Sequence, residues 1–189
     1  RYNGPFSITP DGDLTFSKGL YLFGGAIRTI SIGQRSALSR YFTLSFMNCI
    51  GIGLQSGEYY QRSGAIAIGS NAGNTIQGAS GIAIGRLAGQ TNQGSVAIAI
   101  GTQAGQNIQS SNAIAIGRQA GQTNQGQYAI AIGALAGQTN QAANSIIINA
   151  SNSVLNTVPI DASGCFIRPL RSLSAPDGST TGVGRVFYN

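Results

Sequence analysis

The chain has 189 residues, of which 42% are hydrophobic and only 8% are charged, and it contains 28 glycines and no histidine. Low charge combined with many isoleucines excludes an intrinsically disordered chain, because disordered segments are usually charged and poor in β-branched residues. The formal net charge is +6, but the basic residues are scattered along the chain, so we expect no nucleic-acid binding.

Residues 1–45 are predicted to form an N-terminal β-hairpin and cap. The stretch SITPDGDLTFSKGLYLFGG has apolar runs on either side of an Asp-Gly pair, which is typical of a hairpin. Residues Thr29 to Ala37, TISIGQRSA, are an imperfect copy of the motif that follows. We expect this copy to cover the open edge of the repeat domain, since an uncovered strand edge would template aggregation. Because the chain starts at Arg1 without Met, we expect a processed product or a fragment.

Residues 46–150 repeat an Ile-x-Ile-Gly motif at a constant step of sixteen residues. The first isoleucine column is Ile50, Ile66, Ile82, Ile98, Ile114, Ile130 and Ile146. The second is Ile52, Ile68, Ile84, Ile100, Ile116, Ile132 and Ile148. A glutamine column keeps the same register at Gln61, Gln77, Gln93, Gln109, Gln125 and Gln141. Columns that hold register over so many units indicate one structural unit per repeat.

Each repeat is predicted to be one coil of a β-solenoid. Isoleucine alternates with alanine, and a period of two indicates a strand rather than a helix. Sixteen residues at about 3.3 Å each trace about 50 Å, which is enough for two short strands and two turns. Equivalent isoleucines in coils about 4.8 Å apart would stack into a buried apolar ladder. This predicted ladder comprises Ile66, Ile68, Ile82, Ile84, Ile98, Ile100, Ile114, Ile116, Ile130 and Ile132.

The alanines between the isoleucines indicate a second buried face. A strand facing water would carry Thr, Lys or Glu there, whereas small apolar side chains make a flat surface that another chain can approach closely. We therefore expect the chain to associate with itself through Ala67, Ala83, Ala99, Ala115 and Ala131. The glutamine column is interpreted as structural, because identical amides stacked at strand spacing hydrogen-bond along the axis.

The unit Ala-Ile-Ala-Ile-Gly-x-x-Ala-Gly resembles the head repeats of YadA-type trimeric autotransporter adhesins. It is also similar to repeats in fibre proteins of phages and large DNA viruses. The resemblance covers roughly residues 50–150 and implies an all-β fold, a left-handed parallel β-solenoid (β-roll) assembled as a homotrimer. The sixteen-residue coil, with its longer QTNQG turn, is more similar to the viral and phage repeats than to the commonest adhesin unit.

Residues 151–189 are predicted to form a C-terminal β segment that follows the closing coil NSIIINAS. Asn149-Ala150-Ser151 is a formal glycosylation sequon, which we interpret as a chance match because Asn149 occupies a turn column. GCFIRPLRS and GRVFYN resemble the segment that precedes a self-cleaving chaperone domain in viral fibres. Cys49 and Cys165 lack metal-ligand spacing, so we interpret them as free structural thiols, with a disulfide as the alternative.

Catalytic chemistry has few residues to use. The acidic residues are Asp11, Asp13, Glu58, Asp161 and Asp177. Without histidine, a Ser-His-Asp triad or a His-metal site is impossible, so the sequence predicts no enzyme, no cofactor and no metal site. A glycosidase built from carboxylates of different protomers is the catalytic alternative.

Two residue columns suggest ligands. Arg86 and Arg118 share a column just after the glycine turn, two coils apart, and are candidate contacts to an acidic glycan; solvated turn residues are the alternative. A threonine column would suit an ice-binding solenoid, although Asn107 interrupts it. The column is Thr75, Thr91, Thr123 and Thr139.

These features predict a structural and adhesive segment of a trimeric surface fibre, on a virion or phage, that projects and attaches to a host. The expected partners are further copies of the chain, a host-surface glycan or protein receptor, and neighbouring fibre or capsid proteins. The apolar stretch at residues 41–54 is shorter than the roughly 20 residues of a spanning helix, so we expect no membrane insertion. We expect an extracellular location, on the virion surface or in a cell-surface fibre. The alternatives are a bacterial trimeric autotransporter-type adhesin head and, with less support, an ice-binding β-solenoid.

Overall fold

The computed structural model describes residues 6–8, 14–16, 30–35, 48–157 and 163–169. Near the N-terminus, β1 (Phe6–Ile8) and β2 (Leu14–Phe16) pair antiparallel, with Phe6 opposite Phe16. The two strands of the predicted hairpin are therefore present, whereas its Asp-Gly turn lies outside the described residues. The rest of the described chain belongs to two parallel sheets.

Between residues 50 and 132 the chain contributes strands alternately to the two parallel sheets. The first, which we call the Ile sheet, has nine strands. They are β3 (Ile30–Ile32), β4 (Ile50–Ile52), β6 (Ile66–Ile68), β8 (Ile82–Ile84), β10 (Ile98–Ile100), β12 (Ile114–Ile116), β14 (Ile130–Ile132), β15 (Ser145–Asn149) and β16 (Gly164–Arg168). The second, the Gln sheet, consists of β5 (Tyr59–Gln61), β7 (Thr75–Gln77), β9 (Thr91–Gln93), β11 (Asn107–Gln109) and β13 (Thr123–Gln125).

Strand register confirms the sixteen-residue coil. In the Ile sheet, Ile98 lies between Ile82 and Ile114, each one repeat away along the chain. In the Gln sheet, Gln109 pairs in the same way with Gln93 and Gln125. Each repeat from residue 50 to residue 129 thus contributes one strand to each sheet, whereas the next repeat joins the Gln sheet through a single bridge between Thr123 and Thr139. The chain winds as a β-solenoid of about seven turns. The left-handed sense of winding and the homotrimer stay predictions.

Both ends of the Ile sheet extend the same register. The imperfect N-terminal copy contributes β3, whose Ile30 pairs with Ile50. At the other end β16 pairs with β15, and Cys165 lies beside Ile146. This strand is the part of the predicted C-terminal segment that the structure describes beyond residue 157; residues 158–162 and 170–189 lie outside it. The role of either end as a cap stays a prediction.

The glycine that follows the second isoleucine allows successive coils to stack closely. Gly101 has a φ of 123°, a conformation that residues with a side chain rarely adopt. A Cβ atom built on it would lie 2.8 Å from the carbonyl carbon of Gly117 in the next coil. Because the obstacle is backbone, no side-chain movement could relieve this contact, which explains why glycine recurs in the column.

Alanine, not isoleucine, fills the interior of the coil. The alanines at the middle of the Ile-sheet strands are 0% exposed within a single chain and form one cluster with alanines of the turns. The prediction that Ala67, Ala83, Ala99, Ala115 and Ala131 form a surface between protomers is therefore wrong. The physical reason is size: the two sheets of a small coil lie so close that a methyl group fills the inward position, and a branched side chain has no room.

The predicted isoleucine ladder has the correct stacking but lies on the opposite side of the sheet. Because successive side chains of a strand point to opposite faces, the isoleucines that flank each inward alanine point outward. The placement inside the coil is thus wrong for Ile66, Ile68, Ile82, Ile84, Ile98, Ile100, Ile114, Ile116, Ile130 and Ile132, all of which are partly exposed.

The last coil is the exception to the alanine interior. Ile147 takes the inward position of Ala131, is 0% exposed, and has Leu155 and Phe166 packed against its cluster. Asn149 is also buried, and its side-chain amide nitrogen donates to the Ala134 carbonyl oxygen at 2.8 Å. An amide held inside the coil is closed to glycosylation, which agrees with the interpretation of its sequon as a chance match.

Candidate interaction surfaces

The outward isoleucines form a continuous apolar surface, which we call the Ile face. It consists of the two isoleucine columns from residue 50 to residue 148, and no charged residue interrupts either column. Ile100, Ile116 and Ile132 are 36%, 37% and 39% exposed in the single chain. Contiguous apolar patches on a protein surface often mark interaction sites, so the Ile face is a candidate interaction surface.

The buried glutamine column ties neighbouring coils together, as predicted. Gln109 Nε2 donates to the Ile98 carbonyl oxygen at 2.8 Å and to Gln125 Oε1 at 3.0 Å. Equivalent amide bonds link Gln93 to Gln109 and Gln125 to Gln141, each at 3.1 Å. With 1% exposure, Gln109 cannot contact a ligand. The structural interpretation of the column is confirmed in these three pairs.

A second amide ladder follows the turns and ends at a buried carboxylate. Its inter-coil bonds are Gln106 to Gln90 (2.9 Å), Gln122 to Gln106 (3.1 Å) and Gln138 to Gln122 (3.2 Å). At the N-terminal end Glu58 takes the column position and accepts from Asn74 Nδ2 at 3.4 Å. Glu58 is 0% exposed and forms an ion pair with Arg35. This ion pair links residues 30–35 to the repeat array. Glu58 is the acidic residue of the array, and its carboxylate is already neutralised by Arg35.

The two cysteines occupy different environments. Both are free thiols, as predicted. Cys49 is buried, its Sγ donates to the Arg62 carbonyl oxygen at 3.1 Å, and burial raises the pKa of its thiol although backbone hydrogen bonds oppose the shift. Cys165 is exposed, and its pairing with Ile146 places it in the first isoleucine column of the Ile face. It is therefore a natural probe of that face.

Arg86 and Arg118, the candidate glycan contacts, are exposed on the turn that follows the Ile sheet. They remain two coils apart with Thr102 between them, so the fold does not bring their guanidinium groups together. Arg118 Nη1 donates to Gln119 Oε1 at 2.7 Å. Contact of this pair with a glycan stays a prediction.

The outward column of the Gln sheet lies in a strained backbone conformation. Its members are Tyr60, Ile76, Asn92, Ile108, Asn124 and Asn140. All have a φ between 50° and 57°, in the left-handed region that asparagine tolerates and β-branched residues avoid. The threonine column beside it is mostly half-buried, and its neighbours are mixed apolar and polar, so the two columns do not form a regular threonine surface.

Replacing Ile108 with asparagine is expected to stabilise the solenoid. Ile108 has a φ of 57° and is 50% exposed. Burial of its side chain therefore offsets only part of the energy cost of this backbone conformation. Left-handed backbone costs an L-residue about 1–2 kcal/mol, and asparagine would stack between Asn92 and Asn124. We expect the free energy of unfolding to rise by up to about 1 kcal/mol in chemical denaturation. Ile108→Val, which stays β-branched, is the control, and equal stability of the two variants would contradict the strain.

A groove of about 260 Å³ crosses the Gln sheet near its N-terminal end. Arg62 stands at one end of a column in which Gly78 and Gly94 follow in the next two coils. A Cβ atom built on Gly78 would lie 2.4 Å from the Ser95 backbone nitrogen, so the close approach of the next coil excludes a side chain at this position. The groove is further lined by Ile76, Asn92, Ser95 and Ser111. Neither of the predicted glycan-contacting arginines lines it.

Arg62 was not identified from the sequence, although a signal was present. It is the large residue in a column otherwise occupied by small ones, namely Gly78, Gly94, Ser110, Gly126 and Ala142. The register of the repeat therefore marks it as a departure. What the sequence does not show is that a groove lies beside it.

Comparisons with protein-family models, with curated proteins and with solved structures give no match to this chain. No helix in the described part of the chain is long and apolar enough to cross a membrane. Among the same residues there is no group of three or more His, Cys, Asp or Glu side chains that could hold a metal ion. Function is therefore inferred from the surfaces of the solenoid.

Proposed function

We propose that the chain is a structural segment of a homotrimeric surface fibre of a virion or phage, which projects from the particle and attaches to a host. In this assembly three parallel solenoids pack their Ile faces around a common axis, and the Gln sheets face outward. The observation that carries the proposal is the uninterrupted apolar Ile face of the single chain.

The chemistry of the Ile face suits association with copies of itself. Complete burial of an isoleucine side chain contributes about 1.5–3 kcal/mol. The outward isoleucines are only partly buried in a single chain, so association would add the burial energy of the area that is still exposed. The residues are identical from coil to coil, so parallel copies meet in matching layers, and cyclic symmetry closes the assembly. That the number of copies is three comes from the resemblance to adhesin and fibre heads.

The solenoid also supports the role of a projecting rod. About seven turns, each rising about 4.8 Å, give a length of about 30 Å. Each coil contacts only its neighbours, so repeats extend the rod without changing its cross-section. Such a rod holds a binding surface away from the particle that carries it.

Replacing Ile116 with aspartate is expected to break the trimer while the single coil still winds. Ile116 is 37% exposed in one chain, so its carboxylate stays hydrated in the monomer, but it would be buried without a partner in the assembly. Light scattering should report a trimer for the parent and a monomer for the variant. Asn124→Asp, which adds the same charge on the outward side of the Gln sheet, is the control and should remain trimeric.

Cross-linking through Cys165 gives an independent measurement of the same arrangement. Because Cys165 lies in an isoleucine column, copies of it should approach one another at the axis, and a bis-maleimide should yield covalent dimers on a denaturing gel. Cys165→Ser should abolish them. A parent chain that is monomeric at micromolar concentration would refute the proposal, and a stable dimer would refute the number three alone.

A further inference from the structure

We propose that the groove beside Arg62 binds an acidic saccharide, with the Arg62 guanidinium holding its carboxylate or sulfate group. The proposal rests on the attachment part of the proposed function and assigns it a place and a ligand class. It also moves the predicted glycan contact from Arg86 and Arg118 to the outward side of the Gln sheet.

Arg62 provides the anion-binding group. The Arg62 guanidinium is exposed at the groove, and this group forms no hydrogen bond or ion pair with another residue that the structure describes. The acidic residue of the repeat array, Glu58, is buried and already paired with Arg35. The planar guanidinium of arginine binds carboxylate and sulfate oxygens in a two-pronged arrangement.

Ile76 provides an apolar wall that the fold does not require. It is 39% exposed and has a φ of 56°, although asparagine takes the same column position at Asn92 and Asn124 without the strain of a β-branched side chain. Strained residues that persist in a surface cleft often have a role in binding. An exposed isoleucine beside an arginine offers the carbon face of a sugar ring a surface to pack on.

The other lining residues provide neutral hydrogen-bonding groups. Asn92, Ser95 and Ser111 have side-chain polar atoms that make no hydrogen bonds to other described residues. One cation among neutral donors and acceptors fits a singly charged sugar with hydroxyl groups better than a peptide with several carboxylates. The volume of about 260 Å³ is slightly below the roughly 300–1,000 Å³ of pockets for drug-sized ligands, which suits about one or two sugar rings.

The test is calorimetric titration of the intact parent protein with four probes. They are sialyllactose, which carries a carboxylate, a sulfated heparin disaccharide, neutral lactose and a tetraglutamate peptide. We expect saturable binding of one or both acidic saccharides that weakens as NaCl is added, since salt screens exposed charges. The saccharide that binds more tightly identifies the anion. No binding of either acidic saccharide, or equally tight binding of the peptide, would overturn the proposal.

Variants drawn from other coils locate the site. Arg62→Ser, which copies Ser110 of the same column, should weaken binding at least about tenfold, whereas Arg118→Ser should leave it unchanged. Ile76→Asn should also weaken binding while raising thermal stability. Ile108→Asn makes the same exchange outside the groove and should raise stability alone.

The outcome separates this proposal from the trimer. Light scattering on every variant should report an unchanged mass, because the groove and the Ile face lie on different sheets. Binding that survives Arg62→Ser would remove the groove from the site and leave the trimer intact. Loss of the trimer with binding retained would refute the assembly alone.

Discussion

Replacing Gln109 with glutamate is expected to destabilise the solenoid strongly at neutral pH. Gln109 is 1% exposed, and its Nε2 donates to the Ile98 carbonyl oxygen at 2.8 Å. Glutamate would place a carboxylate oxygen against that carbonyl and would also lose the bond to Gln125 Oε1. An uncompensated buried charge costs about 3–5 kcal/mol, measured as a lower free energy of unfolding.

The destabilisation should depend on pH in a defined direction. Burial disfavours the charged form, so the pKa of the new carboxyl would be raised in the folded state above its usual value of about 4.3. The folded chain then binds a proton more readily than the unfolded chain, and stability falls as the pH rises above about 4. Denaturation at about pH 4 should therefore show a smaller difference from the parent than denaturation at about pH 7.

Gln119→Glu is the matched control for this change. Gln119 lies on the partly exposed turn, where Arg118 Nη1 already donates to its Oε1. A carboxylate there would gain an ion pair, and exposed pairs contribute about 0–1 kcal/mol. Equal destabilisation by the two substitutions would contradict the structural role of the buried glutamine ladder.

Replacing Ala115 with leucine is expected to disrupt the coil itself. Ala115 is 0% exposed in a single chain and lies between Ala99 and Ala131 of the neighbouring coils. Extra carbons in a filled interior typically cost about 1–3 kcal/mol, and the rigid backbone on both sides leaves little room for adjustment. We expect a clearly lower melting temperature by circular dichroism, with some aggregation from exposed strands.

Ala134→Leu separates overpacking from the chemistry of the substitution. Ala134 lies on a partly exposed turn, and Leu54 occupies the same column in an earlier coil. The fold therefore already accommodates leucine at this position, and the melting temperature should stay near that of the parent. If Ala115→Leu melted like Ala134→Leu, the alanine column would have to face outward, as the sequence analysis expected.

The sequence predicted the glutamine ladder well, but its assignment of QTNQG to a turn was wrong, because Thr91–Gln93 forms strand β9 of the Gln sheet. Six glutamines recur at one position of the repeat. When the coils stack at strand spacing, these identical side chains come within hydrogen-bonding distance of one another, as in amide ladders. The glycine column was likewise visible as the point where the chain turns. In both cases the interaction joins equivalent residues of neighbouring coils, so the repeat itself contains the information.

The groove and the left-handed column of the Gln sheet could not be predicted from the sequence. Ile76 and Asn92 occupy one column, yet no spacing rule shows that this column has a left-handed backbone. Arg62 stood out only as a large residue among small ones. The groove is lined by residues of successive coils, from Arg62 to Ser111, and these residues come together only when the coils are stacked in space.

The sequence by itself determined the length of the coil, the stacking of equivalent residues and the position of the Ile-sheet strands in the repeats. Parallel strands hydrogen-bond in register, so a constant step of sixteen residues leaves one consistent way to stack the repeats. Only the tertiary structure decided which side of the Ile sheet is the interior. Isoleucine and alanine are both apolar, so their alternation carries no preference for either face; the narrow space between the two sheets accepts the methyl group of Ala115 and leaves Ile116 outside.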